Sequence, residues 1–179
     1  MRRRPPVTLI AAQSIDGRIT RGEEPGVGFC SPEDQEHFFA SLRKFDCQIM
    51  GRLSYEMSRK RIRKFDAAGR LRKVLTRNPE KWVGEERPGR VEFTRADPAA
   101  LLVELAERGT RACALLGGSQ IYSAFVEADL VDEAWITVEP RLFGSGQPLV
   151  GRPVDLAWGL EGLRRLNADT LLLRYRRRR

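Results

Sequence analysis

Histidine occurs once in these 179 residues and cysteine three times. Cys30, Cys47 and Cys113 are odd in number and widely separated, and His37 alone adds no zinc-ligand spacing, so no metal is expected. The thiols read as reduced, which points to the cytoplasm. No apolar run approaches the ~20 residues that cross a bilayer, so no membrane partner is expected. The basic start Met1-Arg2-Arg3-Arg4 lacks the apolar core and small-residue cleavage site of a signal peptide. Internal repeats and linkers are missing as well. One domain over residues 1–179 is expected, with 1–6 and 176–179 as flexible basic ends.

What is present suits a folded, soluble chain: 41% hydrophobic and 31% charged residues. The net charge of +8 is carried mostly by arginine, much of it at the ends, in Arg2–Arg4, Arg174 and Arg176–Arg179. Such runs are ordinarily solvated tails. The alternative is an anion-attracting surface, for phosphorylated metabolites before nucleic acid. Basic residues without interleaved aromatics make a poor single-strand binder.

Hydrophobic patterning alternates between strands and helices. Val7–Ala12 is a continuous apolar run and reads as a buried strand. Gly22–Gly28 is a loop able to act as a flap. Ser31-Pro32-Glu33-Asp34 opens a helix, with a capping serine, proline at the first position and acids in the first turn. Phe38, Phe39, Leu42 and Phe45 supply its apolar face, with His37 on the polar side as a surface residue. Further strands are expected at Asp46–Gly51, Lys73–Thr76, Val91–Thr94 and Glu133–Glu139. A helix is expected from about Ser54 and another after Asp97-Pro98. Leu163–Ala168 and Thr170–Tyr175 read as an antiparallel hairpin, whose leucines 163, 166, 171 and 173 either offer an apolar edge or face the chain's own core. The class is α/β, with ligands at the carboxyl ends of the strands.

The stretch Ala112 to Tyr122 stands out. A short uncharged strand stops at Gly117-Gly118, and a helical pattern begins at once. A turn without side chains lets a ligand lie against backbone, while the new helix offers free N–H groups and a positive dipole end. That is the layout of a diphosphate seat, although a bare tight turn has the same appearance. Other strand ends carry Ala11-Ala12, Gly51-Arg52-Leu53-Ser54 and Thr76-Arg77. On one sheet edge, Arg52 and Arg77 would each fork a phosphate. Ser54 and Thr76 would add hydroxyls, and the alanines would leave room for a flat ring.

Leu9-Ile10-Ala11-Ala12-Gln13-Ser14-Ile15-Asp16-Gly17-Arg18-Ile19, Ile49-Met50-Gly51-Arg52-Leu53-Ser54-Tyr55, Leu75-Thr76-Arg77-Asn78-Pro79 and Gly117-Gly118-Ser119-Gln120-Ile121-Tyr122 resemble the dihydrofolate reductase superfamily. Leu130 to Glu133 and Thr137 to Leu149 resemble one branch of it, the reductase domain of the riboflavin-pathway deaminase–reductase and its stand-alone relatives. The resemblance runs in order from about Val7 to Leu149. It implies a three-layer fold, with a mostly parallel central sheet and a C-terminal antiparallel hairpin. It also implies a homodimer and NADPH as hydride donor for a heterocyclic substrate, phosphorylated in the riboflavin branch.

By position, the resemblance places Ala11 and Ala12 on the nicotinamide, with Asp16 and Gly17 in the loop over it. Gly51, Arg52, Leu53 and Ser54 would hold the adenosine phosphates, and Thr76 and Arg77 the ribose with its 2′-phosphate. Gly117, Gly118, Ser119, Gln120, Ile121 and Tyr122 would cradle the diphosphate, with a cis Gly117–Gly118 peptide. Asp34 and Glu139 would be the catalytic carboxylates, with Asp34 helping to protonate the substrate unless it is only the third residue of a capped helix. Ser14, Thr137 and Glu139 would bind substrate, with Glu139 as the buried carboxylate on the ring nitrogens.

Three departures bear on the substrate. Ile10 stands where riboflavin-pathway reductases usually have lysine. Ser58–Lys64 lacks their acidic Asp-Pro element. Gly22–Cys30 lacks the flap tryptophan of dihydrofolate reductases. A true dihydrofolate reductase therefore stays open, as does a nucleotide- or nucleic-acid-binding module without catalysis.

Overall fold

The computed structural model of the chain describes residues 4–64 and 70–179. Eight strands form one sheet in the order β4-β3-β2-β5-β1-β6-β8-β7. They are β1 (Val7–Gln13), β2 (Cys47–Gly51), β3 (Leu71–Leu75), β4 (Val91–Thr94), β5 (Cys113–Leu115), β6 (Glu133–Val138), β7 (Trp158–Arg165) and β8 (Leu171–Arg177). β1 to β6 run parallel, whereas β8 pairs antiparallel with both β6 and β7. The mostly parallel sheet with an antiparallel C-terminal hairpin is the one the sequence implies.

Helices α1 (Pro32–Ser41), α2 (Arg52–Lys64), α3 (Pro98–Glu107) and α4 (Ser119–Glu127) complete the layers. Val7 and Leu9 of β1 pack with Leu101, Leu102 and Leu105 of α3 and Phe125 and Val126 of α4. Ile10, pointing the other way, packs with Leu42, Phe45 and Trp135. Both faces of β1 are covered, which is why its sequence shows an uninterrupted apolar run rather than alternation.

Local chemistry sets the helix starts. The Ser31 hydroxyl accepts from Asp34 N at 3.2 Å, with Pro32 at the first position of α1. Asp97 Oδ1 accepts from Ala99 N and Ala100 N at 2.9 and 3.0 Å to cap α3. α2 starts at Arg52, two residues ahead of the expected Ser54, because Gly51 ends β2 and leads directly into the helix. Leu42 and Phe45 lie in and just beyond a 3₁₀ turn after α1, and Phe39 stays exposed beneath Arg61, whose guanidinium carbon is 4.3 Å from the ring centre. The hairpin strands are longer than expected, and their turn is held by Asn167 Oδ1, which accepts from Asp169 N and Thr170 N. Strand order puts the carboxyl ends of β1 to β6 and this turn on one edge of the sheet.

The basic ends, expected as solvated tails, are held by acids where they are described. Arg4 grips Asp132 through two bonds of 2.7 and 2.8 Å. Arg177 bonds Asp129 at 2.7 Å and Arg179 bonds Asp132 at 2.9 Å. Residues 1–3 lie outside the described residues. No helix among the described residues is long and apolar enough to cross a membrane.

Candidate functional site

Three neighbouring strands, β2, β5 and β1, build the glycine-rich part of the edge. Gly51 N donates to Gly117 O at 2.7 Å, and the buried Tyr122 hydroxyl donates to Ile10 O at 2.7 Å. The Gly117–Gly118 peptide is cis, as the resemblance implies, and Gly117 has φ +84°. A Cβ on Gly117 would lie 2.7 Å from the Tyr122 ring, and one on Gly51 would lie 3.0 Å from Ile121 Cγ1. A Cβ on Gly118 would meet only open space. Gly118 caps α4, and Gly51 immediately precedes α2. Two helix N-termini, with their spare N–H groups and positive dipole ends, therefore open beside a backbone free of side chains. This donor set fits a dinucleotide diphosphate.

The expected cofactor residues Ala11, Ala12, Gly51, Arg52, Leu53, Ser54, Thr76, Arg77, Gly117, Gly118, Ser119, Gln120 and Ile121 all fall on or beside this edge. Their side chains are not equally free. Arg52 is exposed but paired with Glu56 at 2.6 Å, whereas Arg77 is exposed and unpaired among the described residues. Tyr122 lies under the glycines and supports the cradle from within the core.

Asp16 acts as a clasp for the neighbouring loops. Its carboxylate accepts from Ser14 Oγ at 2.6 Å, Phe143 N at 3.1 Å and Gly144 N at 2.8 Å. These donors, Ser14 foremost, hold its pKa down at about 2. Gly17, at φ +76°, completes the turn that the clasp closes. Ser14, expected to donate to substrate, is fully buried, and its hydroxyl already donates to Asp16 and accepts from Arg18 N at 3.0 Å. The geometry makes it a turn residue. The loop expected as a flap is stitched at Gly22, whose N–H donates to Ser145 O at 3.3 Å.

Beside the cradle lies a cleft of about 490 Å³, lined by Arg21, Phe29, Cys30, Ser31, Glu139 and Arg141 among others. The hairpin turn 167–170 forms one wall. Glu139 (2% exposed) lines the cleft, and Asp34 (6%) is buried next to it, with an oxygen within 4.8 Å of Glu139 and of Cys30 Sγ. Burial foremost raises the Asp34 pKa, Glu139 adds to the rise, and hydrogen bonds from Thr137 and Cys30 only partly offset it. A buried carboxyl that favours its proton is the state a general acid needs. Glu139, expected on the ring nitrogens of a substrate, instead accepts from Ser31 N at 2.8 Å, Ser31 Oγ at 2.9 Å and Thr170 Oγ1 at 2.9 Å. Both its oxygens are occupied by protein donors. His37 is half-buried rather than a plain surface residue, wedged between Ser41 and Arg164, and its pKa is lowered by burial and by nearby cations. Ile10 fills the position of the family lysine with core, so β1 brings no cation to the cleft.

Sequence reasoning missed Cys30, Ser31, Asn167 and Thr170 as parts of this site. The signal for Ser31 was present in the cap motif. The hairpin turn had none, because only the antiparallel return of β8 brings it to the edge.

A family model described as the RibD C-terminal domain matches residues 5–172. The uncharacterized protein YwjB of Bacillus subtilis strain 168 is 26% identical over 144 residues, which cover 79% of this chain and 80% of YwjB. A putative riboflavin biosynthesis protein from Shewanella sp. PV-4 superposes with a TM-score of 0.73 at 21% identity, covering 97% of this chain and 99% of that one. The diaminohydroxyphosphoribosylaminopyrimidine deaminase/5-amino-6-(5-phosphoribosylamino)uracil reductase of Thermotoga maritima gives 0.79 at 17% identity, covering 98% of this chain but 57% of that longer one. A pyrimidine reductase-like protein from Corynebacterium diphtheriae gives 0.76 at 16% identity, over 98% and 92% of the two chains. At these identities the structural likenesses show a shared fold.

Proposed function

The chain belongs to the family of RibD C-terminal domains, and from that premise we propose an NADPH-dependent reductase that delivers hydride to a carbon–nitrogen double bond of a pyrimidine- or pterin-like substrate. The observation that carries this reading is the buried Asp34 carboxyl, its pKa raised, in the first turn of α1 and within 4.8 Å of Glu139, the residue that follows β6 on the edge holding the glycine cradle. When bound, a reduced nicotinamide supplies the hydride. The small side chains of Ala11 and Ala12 leave room for its ring against β1. Arg77, exposed beyond the end of β3, would fork a 2′-phosphate, while Arg52 would have to share its guanidinium with Glu56. As the electron pair of the reduced bond moves to nitrogen, Asp34 gives that nitrogen its proton and is reprotonated from water. Thr137 and Cys30 oppose part of the rise in the Asp34 pKa that burial causes. Arg21 and Arg141 at the cleft mouth suit an anionic substituent, and the net charge of +8 would draw such a substrate in.

A titration of tryptophan fluorescence with NADPH and NADH tests the cofactor half. Quenching by NADPH at micromolar concentration, weakened at least tenfold for NADH and in Arg77→Ala, is expected. Equal affinity for both nucleotides would remove the 2′-phosphate grip. The Asp34–Thr137 pairing and the missing family lysine also favour a second reading, a true dihydrofolate reductase, which a dihydrofolate turnover assay separates from a pyrimidine reductase.

A further inference from the structure

Glu139 joins three segments that are far apart in the chain. Ser31, ahead of α1, donates to it through both its backbone N–H and its hydroxyl, at 2.8 and 2.9 Å. Thr170, at the end of the hairpin turn, donates its hydroxyl at 2.9 Å. The same Ser31 hydroxyl accepts from Asp34 N, so the contact that fixes Glu139 also fixes the first turn of α1. One oxygen each of Asp34 and Glu139, together with Cys30 Sγ, lie within 4.8 Å of one another, and all three residues are buried. Two ionised carboxylates so close and so dry repel, and the Glu139 charge adds to the burial that raises the Asp34 pKa.

The two carboxyls differ in their donors. Glu139 receives a backbone N–H and two hydroxyls. Beside Asp34 only the Thr137 hydroxyl and the Cys30 thiol, a weak donor, act to lower its pKa. We propose that Glu139 is a positioning residue: anchored by Ser31 and Thr170, its carboxylate is held against Asp34 and favours the protonated form of that acid. This rests on reading Asp34 as the proton donor. Burial works in the same direction, and the Cys30 thiol, itself pushed up by burial, stays neutral. The other charged groups about the cleft are Arg21 and Arg141 at its mouth, Asp169 in the turn and Glu33, which is bonded to Asn167. On the next turn of α1, His37 is bonded to Arg164.

The test is the carbon-13 titration of the Asp34 side-chain carboxyl by NMR, on the full chain without cofactor or substrate. In Glu139→Gln, which keeps the shape and an acceptor for Ser31 but not the charge, with the Thr170 hydroxyl turned to accept from the new amide, the Asp34 midpoint is expected to fall by about one pH unit. Thr170→Val, which removes one anchor, should lower it in the same direction, while Thr170→Ser should leave it in place. An unchanged or raised midpoint in folded Glu139→Gln overturns the proposal. If that variant does not fold, an unchanged midpoint in Thr170→Val does so. Where turnover can be followed, the pH at which kcat declines should move down with the midpoint. A wild-type protein that neither binds NADPH nor reduces substrate would defeat the functional reading and leave the titration standing.

Discussion

Asp34 sits in surroundings that work against its own ionisation, and this has two consequences that can be measured separately. Its folded pKa lies above the unfolded value, so the folded state binds the extra proton between the two. Stability is then lost as pH rises through that window, because folding must take up a proton that the unfolded chain has given away. Asp34→Asn removes the penalty. Denaturant unfolding should show the variant at least as stable as wild type at pH 7, with the difference vanishing at pH 3. Its turnover should nevertheless fall about 10²- to 10⁴-fold, the usual weight of a general acid. A destabilised Asp34→Asn with normal turnover would make Asp34 a capping residue and nothing more. Asp34 was legible as a candidate from its place in the cap motif. The roles of Ser14 and Glu139 were not, because Glu139 finds its partners 108 and 31 residues away and Ser14 spends its hydroxyl on a turn two residues on.

At the scale of elements, the cradle depends on how closely β5 and α4 approach β1 and β2. Gly117→Ala would drive a Cβ into the Tyr122 ring from a left-handed backbone. A loss of about 1–3 kcal/mol is expected in urea unfolding, together with loss of NADPH quenching. Retained binding would show that the glycine turn is not the diphosphate seat. At the β4 end of the sheet, β3, β4 and α3 share a network in which Lys73 (5% exposed) meets Glu92 at 2.8 Å and Glu104 at 2.6 Å. Glu92 also takes two bonds from Arg108, which foremost hold its pKa at about 2 against an ordinary 4.5. A depressed carboxyl stabilises above its unfolded pKa and loses that contribution as pH falls through the folded one. Glu92→Gln should therefore cost about 2 kcal/mol at pH 7. The gap to wild type should narrow between pH 4.5 and 2.

Across the whole molecule, the arginine-rich ends and the open sheet edge matter most. Deleting residues 176–179 leaves Asp129 and Asp132 without Arg177 and Arg179, so melting should fall by a few °C, and by less in high salt. An unchanged melting temperature at low salt would show these pairs to be idle. β7 is the last strand of the sheet, with Leu160 (55% exposed) and Leu163 (61%) on the surface. The homodimer that the resemblance implies would cover them. Sedimentation should then give a dimer that Leu163→Lys weakens at least tenfold. A wild-type monomer at micromolar concentration would rule that arrangement out.

The sequence by itself determined the alternation of strands and helices, the capped starts of α1 and α3, and the glycines of the cradle. Each of these is governed by contacts within a turn or two, so neighbouring residues carry the information. Only the tertiary structure decided which polar groups remain available to a ligand. Hydrogen-bond partners for Glu139, Arg4 and Asp16 come from strands and loops more than 30 residues away. A buried carboxylate takes its role from the donors and charges that the folded chain places around it.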